Sequence, residues 1–214
     1  MTLKTWLNVT LQDVKQLQKI SIETFSDTFK DGNDEADLKE YLKSAYNIKQ
    51  LESELSDYDS NFYFVYYKKE LAGYLKLNVS NAQTEKHDIN ALEIERIYIK
   101  PNFKRLGLGK YLLNYAVEKA KELDKTSAWL GVWEENLNAL NFYKKMNFVC
   151  FSEHIFELGG EKQRDILMKL IINKWNKGEN NMDSKLKVDN SFWDIFPDAS
   201  ISVLTIKGID NKVQ

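Results

Sequence analysis

The chain has 214 residues and a mass of 25.1 kDa, with 43% hydrophobic and 29% charged residues, which is typical of one ordinary globular domain with a short appendage. Its 30 basic and 32 acidic side chains give a net charge of −2, so no basic excess drives binding to nucleic acid or membranes. No apolar run approaches the roughly 18 residues of a membrane helix, and the first residues lack the apolar stretch of a signal peptide, so we expect a cytoplasmic protein.

Cysteine and histidine are too scarce to suggest metal or redox chemistry. A single cysteine, Cys150, excludes an internal disulfide, and the two histidines, His87 and His154, lie far apart in the sequence. Cys150 stands between Val149 and Phe151, which predicts a small buried residue of a strand rather than a reactive thiol. We therefore expect no metal cofactor.

The first quarter of the chain predicts a short strand, at about residues 6–9, followed by helices. Thr10 and Asp13 have the spacing of a capping box, with Asp in place of the usual Glu, and the apolar spacing that follows predicts a helix from about 11 to 28. Amphipathic spacing predicts one or two more helices, able to move as a flap, in two further stretches: residues 34–45 and 49–56.

The chain from there to residue 172 alternates predicted strands and helices. Aromatic and β-branched residues at 62–67 and 71–79 flank a short polar turn, which is typical of a β-hairpin. Further segments follow in order: a strand at 92–99, a helix opening at Gly107, a strand at 128–132, a helix at 136–146, and strands at 148–156 and 165–172. This order predicts an α+β fold built on a mixed sheet.

Aromatic strands also suggest how copies of the chain could associate. An exposed edge at 62–67 or at 148–156 would pair across a dimer, although the sequence does not show which strands are outermost. We expect a homodimer on this basis.

The strand LEIERIYI at 92–99 carries two carboxylates inside an otherwise apolar run. Strict alternation places Glu93 and Glu95 on one face and Ile94 and Arg96 on the other. The sequence therefore predicts two neighbouring carboxylates near the start of this strand.

The most specific motif is Lys104-Arg105-Leu106-Gly107-Leu108-Gly109, followed by Lys110; we call residues 104–110 the phosphate loop. It lies between a predicted strand and a predicted helix, where glycine lets backbone N–H groups converge on a phosphate and the helix dipole adds to the attraction. A GxG turn alone also fits a tight strand-to-helix connection, so its surroundings decide between the two interpretations.

The phosphate loop resembles the Q/R-x-x-G-x-G/A pyrophosphate loop of the GNAT superfamily of N-acetyltransferases. A second match is the family's Asn-x-x-Ala-x-x-Phe-Tyr helix, present here from Asn136 to Tyr143. Four stretches look more closely like PaiA-type polyamine N-acetyltransferases: 21–29, 73–78, 92–99 and 129–143. The resemblance covers about residues 1–172 and implies a GNAT-type α+β fold, with a mixed, mainly antiparallel sheet flanked by helices, and acetyl-CoA as cosubstrate.

Two positions depart from the family pattern. Lys104 stands where the family has Gln or Arg, which keeps a cation for the pyrophosphate but loses the forked donors of Arg, so we expect a tuned cofactor affinity. Asn147 replaces the usual glycine at a helix end, and Asn is the next residue most able to adopt the left-handed conformation there.

Acetyl transfer to an amine sets three chemical requirements. An alkylammonium with a pKa of about 10.4 is almost fully protonated at neutral pH, so a base must remove its proton, a donor must polarise the thioester carbonyl, and an acid should protonate the leaving thiolate. The resemblance assigns Tyr143 as the acid, the backbone N–H of Ile97 to the carbonyl, and Glu93 as the base, with Glu95 as the second candidate. The structural alternatives are a buried core tyrosine and two carboxylates on a solvated strand face.

The resemblance also implies which residues contact the cofactor. They belong to the strand, the phosphate loop and the following helices: Ile97, Tyr98, Ile99, Lys104, Arg105, Leu106, Gly107, Leu108, Gly109, Lys110, Asn136 and Tyr143. Asn136 has a structural alternative as a helix N-cap, and both roles can hold together.

A polyamine acceptor carries several cations, so its groove should present carboxylates. The candidates are Glu23, Asp27 and Asp31 near the first helix, Glu95 on the strand, and Glu134 with Glu135. Carboxylates on helices are usually solvated, so these remain weak candidates.

Other functions compete with this hypothesis. The acceptor could be another primary amine, such as an amino acid, an aminoglycoside-like amine or a protein N-terminus. A non-catalytic acetyl-CoA-binding module would bind the cofactor without turnover, but the presence of both Tyr143 and Glu93 argues against it.

The chain changes character after Ile172, which predicts an N-acetyltransferase domain at 1–172, a polar linker at 173–181 and a fragment-like tail at 182–214. The tail is shorter than the roughly 40 residues that fold alone without a metal or disulfide. It resembles the opening of the editing-like domain in the phenylalanyl-tRNA synthetase beta subunit, but it is too short to supply tRNA editing. The linker can be encoded by a purine-rich ribosome-binding sequence ahead of Met182, so we infer a translated intergenic spacer and a tail that contributes nothing to acetyl transfer.

Overall fold

The computed structural model describes residues 4–30, 34–158, 161–172 and 202–204. Asp31, the predicted linker and all of the predicted tail except 202–204 lie outside the described residues. The predicted domain boundaries therefore remain predictions.

One strand and three helices open the chain. They are β1 (Lys4–Asn8), α1 (Val14–Phe29), α2 (Glu35–Ala45) and α3 (Ile48–Leu55). A short 3-10 turn precedes α1, and the predicted capping box forms there, because the Thr10 N–H donates to Asp13 Oδ2 at 2.9 Å. The side chains of Asp34 and Asn47 accept backbone N–H bonds at the starts of α2 and α3, so this stretch forms two separate helices.

The remaining elements build the sheet and cover it. They are β2 (Ser60–Tyr67), β3 (Glu70–Asn78), β4 (Ala91–Ile99), α4 (Leu108–Glu122), β5 (Ser127–Trp133), α5 (Leu137–Lys145), β6 (Val149–Leu158) and β7 (Glu161–Ile171). The strand order is β1-β2-β3-β4-β5-β7-β6. Only the β4–β5 pair within this order is parallel, so the predicted mixed, mainly antiparallel sheet is confirmed.

Two turn positions confirm local predictions. Lys68 and Lys69 connect β2 to β3 with φ of 50° and 73°, and two positive φ angles match the twist that a two-residue hairpin needs. Asn147, which follows α5, has a φ of 64°, so the asparagine takes the left-handed conformation expected of the family's glycine.

Strand β4 lies at the centre of the molecule, and all nine of its residues are buried. Ile97 belongs to the apolar cluster that the sheet forms with α4 and α5, which also contains Leu112 and Tyr143. Tyr98 belongs to the cluster on the other face, with Leu17 of α1 and Tyr74 of β3. Because both faces are covered, side chains of β4 reach groups from helices on either side of the sheet.

The sheet opens between β4 and β5. The two strands pair only through Ala91–Glu93 and Ser127–Trp129, so β4 has no β5 partner beyond Glu93. Farther along the same strand, Arg96–Tyr98 pairs antiparallel with β8 (Ser202–Leu204), which comes from the predicted tail. The edge of β4 that β5 leaves unpaired can therefore bind another strand, as it binds β8 here, or a strand-like ligand.

The strand order decides two questions about strand surroundings. The prediction that Cys150 is buried is wrong: it is exposed, and β6 is the outermost strand at its end of the sheet. Of the two aromatic strands that could form an edge, the one at 148–156 does so as β6, whereas the one at 62–67 lies between β1 and β3 as β2. The homodimer remains a prediction.

Candidate active site

The phosphate loop has the backbone geometry of an anion site. Gly107 caps α4 with φ of 68°, a left-handed conformation that disfavours a side chain. The first hydrogen bond of the helix joins the Tyr111 N–H to the Gly107 carbonyl at 3.2 Å. The preceding N–H groups have no carbonyl one turn earlier in the helix, so they point outward along the positive end of its dipole.

Cations surround this loop. A Cβ at Gly107 would lie 3.3 Å from Lys4 Nζ, so the first described residue of β1 places its ammonium group beside the loop. Lys104 Nζ lies 2.6 Å from Asp27 Oδ2, and Lys100 Nζ lies 3.2 Å from Glu23 Oε2. Sequence analysis missed Lys4, because nothing in the pattern of β1 places that strand against the loop.

The predicted acceptor carboxylates are therefore dispersed. Glu23 and Asp27 pair with lysines beside the phosphate loop. Glu134 pairs with Arg164 at 2.7 Å, and Glu135 is exposed. Among the described candidates, Glu95 is the one that lies beside Glu93, since the Asn78 amide donates to both carboxylates.

A bulge in β4 changes which side chains meet. Lys76 pairs with Arg96 but the next residue of β3, Leu77, pairs with Ile94, so Glu95 is an inserted residue. Arg96 Nη2 consequently lies 3.0 Å from Glu95 Oε1. The predicted separation of Arg96 from the carboxylates by strict alternation is wrong, whereas the predicted closeness of Glu93 and Glu95 is confirmed.

Four buried charges form what we call the charged network: Glu54 of α3, Lys76 of β3, and Glu95 and Arg96 of β4. Arg96 donates to both oxygens of Glu54 at 2.8 and 3.0 Å. Lys76 Nζ lies 3.0 Å from Glu54 and 2.6 Å from Glu95. Two carboxylates are thus matched by two cations, which is what burial of charge requires.

The charges of the network shift the pKa values of its own side chains. Burial alone would raise the pKa of Glu54, but the charges of Arg96 and Lys76 and the hydrogen bonds from Arg96 and Gln50 lower it to about 2. Burial opposes the charge of Arg96, yet Glu54 and Glu95 hold the Arg96 pKa well above its ordinary value. Both groups therefore stay charged near neutral pH.

Glu93 is a different kind of carboxylate. Its side chain has no exposed surface and, among the described residues, no cation lies within 4.0 Å of it. It accepts hydrogen bonds from the Thr84 N–H at 2.8 Å, from the Thr84 hydroxyl and from Asn78 Nδ2 at 3.0 Å. Burial first, and the charge of Glu95 second, raise its pKa to about 7. A buried carboxylate that titrates near neutrality is a candidate for proton transfer.

Tyr143 of α5 is completely buried, and within the described ranges its hydroxyl has no hydrogen-bond partner. Burial raises the pKa of this hydroxyl well above its ordinary value, so the group stays protonated. Its ring packs edge-on against Phe148 at 5.8 Å, in the same cluster as Ile97. A ligand could provide a partner for this hydroxyl. Four other tyrosine hydroxyls also lack a partner among the described residues, so the assignment of Tyr143 depends on the motif as well: Tyr46, Tyr74, Tyr98 and Tyr115.

Other predicted cofactor residues have a visible structural role. Asn136 accepts the Ala139 N–H at 3.1 Å, so the N-cap alternative holds. The backbone of Ile97, Tyr98 and Ile99 runs along the part of β4 that has parted from β5, and residues 96–98 there pair with β8.

Metal and membrane predictions can be compared with the described part of the chain. The two histidines converge in space, because His87 lies 2.7 Å and His154 3.2 Å from Glu85. Within the described ranges, however, no group of three or more His, Cys, Asp or Glu side chains is placed to hold a metal ion. The same residues contain no helix that is long and apolar enough to cross a bilayer.

Sequence analysis missed most of the groups around Glu93. Asn78, Thr84 and Glu54 come from three elements separated along the chain, and no local pattern marks them. Lys76 did carry a signal, since a lysine inside the apolar run GYLKLN must find a partner if the strand is buried.

Comparison with known proteins agrees with this geometry. The model of the Acetyltransferase (GNAT) family matches residues 15–148. An uncharacterized N-acetyltransferase of the pepI 3′ region from Lactobacillus delbrueckii subsp. lactis is 45% identical over 163 residues, which cover 76% of this chain and 94% of that protein. The spermine/spermidine N(1)-acetyltransferase of Bacillus subtilis is 25% identical over 99 residues, which are 46% of this chain and 64% of that protein.

A solved structure shows the same fold. The PaiA N-acetyltransferase of Thermoplasma acidophilum, in complex with coenzyme A, superimposes with a TM-score of 0.65 at 21% identity, over 80% of this chain and 100% of that one. The chain belongs to the GNAT acetyltransferase family. It is an acetyl-CoA-dependent N-acetyltransferase.

Proposed function

We propose that this enzyme acetylates an amino group of a polyamine such as spermidine or spermine, by direct attack of the amine on the thioester. The name of the Bacillus subtilis relative, a spermine/spermidine N(1)-acetyltransferase, supports this acceptor class. The observation that carries the chemistry is Glu93, a buried carboxylate whose pKa is raised to about 7 where β4 and β5 part. We place the reaction in the cytoplasm, where acetyl-CoA and polyamines are both available.

The cofactor site follows from the phosphate loop. The outward N–H groups at the start of α4 would bind the pyrophosphate, with Lys104 and Lys4 as neighbouring cations. The edge of β4 at 97–99, which has no β5 partner, would pair with the strand-like pantetheine arm. Because β8 pairs with residues 96–98 of the same edge, β8 must leave when the arm binds there.

Proton transfer is assigned to two side chains. Acetyl-CoA supplies the activated acetyl group, and the new C–N bond forms as the C–S bond breaks. Glu93, which is partly ionised near neutral pH, takes one proton of the ammonium, directly or through water, and leaves a neutral amine to attack. Tyr143 keeps its proton because of burial and gives it to the leaving sulfur, which provides a partner that its hydroxyl lacks among the described residues. The second proton of the nitrogen is released when the C–N bond forms, and it replaces the proton that Tyr143 has given up.

A second acceptor class is favoured by the charge balance beside Glu93. Lys76 and Arg96 offset the charges of Glu54 and Glu95, so the network adds no net negative charge for a multiply charged polyamine. An amine with one ammonium group, such as an amino acid or a protein N-terminus, fits this balance as well.

The test is release of the CoA thiol from acetyl-CoA by the purified full chain. Spermidine, spermine, putrescine, lysine and a peptide N-terminus are compared at equal concentration, with Tyr143→Phe alongside. Turnover restricted to polyamines supports the proposal. Turnover only on lysine or the peptide would instead assign the enzyme to acceptors with one ammonium group. Binding of acetyl-CoA without turnover on any amine would contradict both acceptor classes.

A further inference from the structure

One loop residue holds both oxygens of Glu93. Thr84 lies between β3 and β4, just after the short 3-10 turn Ser80–Ala82. Its backbone N–H donates to Oε2 of Glu93 at 2.8 Å, and its hydroxyl donates to Oε1. These two hydrogen bonds fix both the position and the rotation of the carboxylate.

We propose that Thr84 is a positioning residue of the acetyl-transfer reaction, which orients the Glu93 carboxylate and keeps its ionised form available as the base. The inference rests on the proposed role of Glu93. It goes beyond that role, because it assigns part of the chemistry to a residue outside the phosphate loop, β4 and α5.

Contacts of the residues on either side of Thr84 hold the loop in place, so the two hydrogen bonds to Glu93 are preorganised. Gln83 accepts the indole N–H of Trp129 on β5 at 2.7 Å and donates to the Asp88 carbonyl at 3.1 Å. Glu85 lies 2.7 Å from His87, whose ring packs edge-on against Trp129 at 5.4 Å. Hydrogen-bond donors held by their own partners need little reorganisation during a reaction.

The charges near Glu93 make these donors important. From β4, Glu95 faces it with a like charge. The cations of β3 and β4, Lys76 and Arg96, pair with Glu95 and with Glu54 of α3. On the loop, Glu85 and His87 pair with each other. Stabilisation of the Glu93 anion is therefore left to hydrogen bonds.

Three hydrogen bonds reach Glu93, and Thr84 supplies two of them. Hydrogen bonds to the ionised form lower the pKa of a carboxyl group, and here they oppose burial and the charge of Glu95. Loss of the Thr84 hydroxyl should therefore raise the Glu93 pKa further and reduce the ionised fraction at pH 7.

The experiment measures kcat and KM between pH 5.5 and 9 in Thr84→Val, Thr84→Ser and wild type, with the amine that turns over. In Thr84→Val we expect the acidic limb of kcat/KM to move up by about half to one pH unit, since a hydroxyl that donates to the carboxylate favours its ionised form by about that amount. With a Glu93 pKa of about 7, the rate at pH 7 should fall about twofold to fivefold and recover at pH 9. Thr84→Ser should restore the wild-type profile.

Thr126→Val is the matched control. Thr126 lies just before β5, and its hydroxyl lies 3.4 Å from Asp88 Oδ2 and from the Asn90 carbonyl, both at the end of the Thr84 loop. Its pH profile should match wild type. If Thr84→Val folds poorly, Thr84→Ala and a ¹³C NMR titration of the Glu93 carboxyl in the folded protein measure the same shift.

The outcomes separate this inference from the proposed function. An unmoved acidic limb in Thr84→Val or Thr84→Ala, with Glu93→Gln inactive, overturns the role of Thr84 alone. A uniform loss of rate at every pH, together with a lower melting temperature, also overturns it and makes Thr84 structural. Full activity in Glu93→Gln overturns both proposals.

Discussion

The phosphate loop and the charged network are built in different ways. The loop uses consecutive backbone N–H groups behind a left-handed Gly107, so its geometry is local. The network joins side chains of α3, β3 and β4, and the Glu54–Arg96 pair spans 42 residues. A site made of backbone tolerates changes in its side chains, whereas a site made of buried charges depends on each partner. The two regions should therefore fail differently when they are altered.

The largest effect is expected from breaking the network. Glu54→Ala leaves Lys76 and Arg96 buried with one carboxylate fewer, and breaking a buried ion pair costs about 3–5 kcal/mol. Urea unfolding gives the free energy. Glu52→Ala, an exposed glutamate on the same helix, should change it by less than about 0.5 kcal/mol. Equal effects of the two substitutions would show that the network contributes little to stability.

Tyr143→Phe should affect the chemistry and not the fold. The hydroxyl has no hydrogen-bond partner among the described residues, so its loss should leave the free energy of unfolding nearly unchanged. As the proposed acid it should lower kcat about 100-fold. Tyr115→Phe, on α4 against Trp6 and Tyr63, is the control and should retain the wild-type kcat. An unchanged kcat in Tyr143→Phe would contradict its assignment as the acid.

Glu93 should make stability depend on pH. Its pKa is raised from 4.5 to about 7, so the folded state binds this proton more tightly than the unfolded state. The stabilisation is complete below about pH 4.5 and is lost as the pH rises through about 7, a change of roughly 3 kcal/mol for this difference between the two pKa values. Unfolding curves from pH 5 to 8 measure it. Glu93→Gln should flatten the slope while the exposed substitution Glu122→Gln should not, and an identical slope in Glu93→Gln would argue against the raised pKa.

The smallest effect concerns the β4 edge that β8 shares with the proposed cofactor arm. Removal of residues 173–214 should tighten binding of coenzyme A about fivefold, the equivalent of roughly 1 kcal/mol for displaced strand pairing. The shortened chain is expected to fold, because 80% of this chain matches the whole of the PaiA structure. Calorimetric titration of both chains measures the difference. Equal affinities would support the sequence-based inference that the tail contributes nothing.

Sequence analysis predicted the parts of the molecule that depend on neighbouring residues. The phosphate loop, the hairpin turn at Lys68 and Lys69, and the left-handed Asn147 all follow from residues that are close in the chain. The bulge at Glu95 escaped prediction because alternation within β4 does not reveal the register against β3. Thr84 escaped because a threonine in a polar loop carries no sign of its partner until the fold brings β4 beside it.

The most direct test of the account is a paired measurement of acetyl-CoA affinity and single-turnover rate, made at the phosphate loop and at Glu93, which lies beside Glu95 of the charged network. Gly107→Ala strains the left-handed position by roughly 1–2 kcal/mol and should weaken binding while sparing the rate at saturating cofactor. Glu93→Gln should bind acetyl-CoA like wild type and lose the rate at pH 7. A Glu93→Gln enzyme that transfers acetyl groups at the wild-type rate, or a Gly107→Ala enzyme with unchanged affinity, would contradict the account.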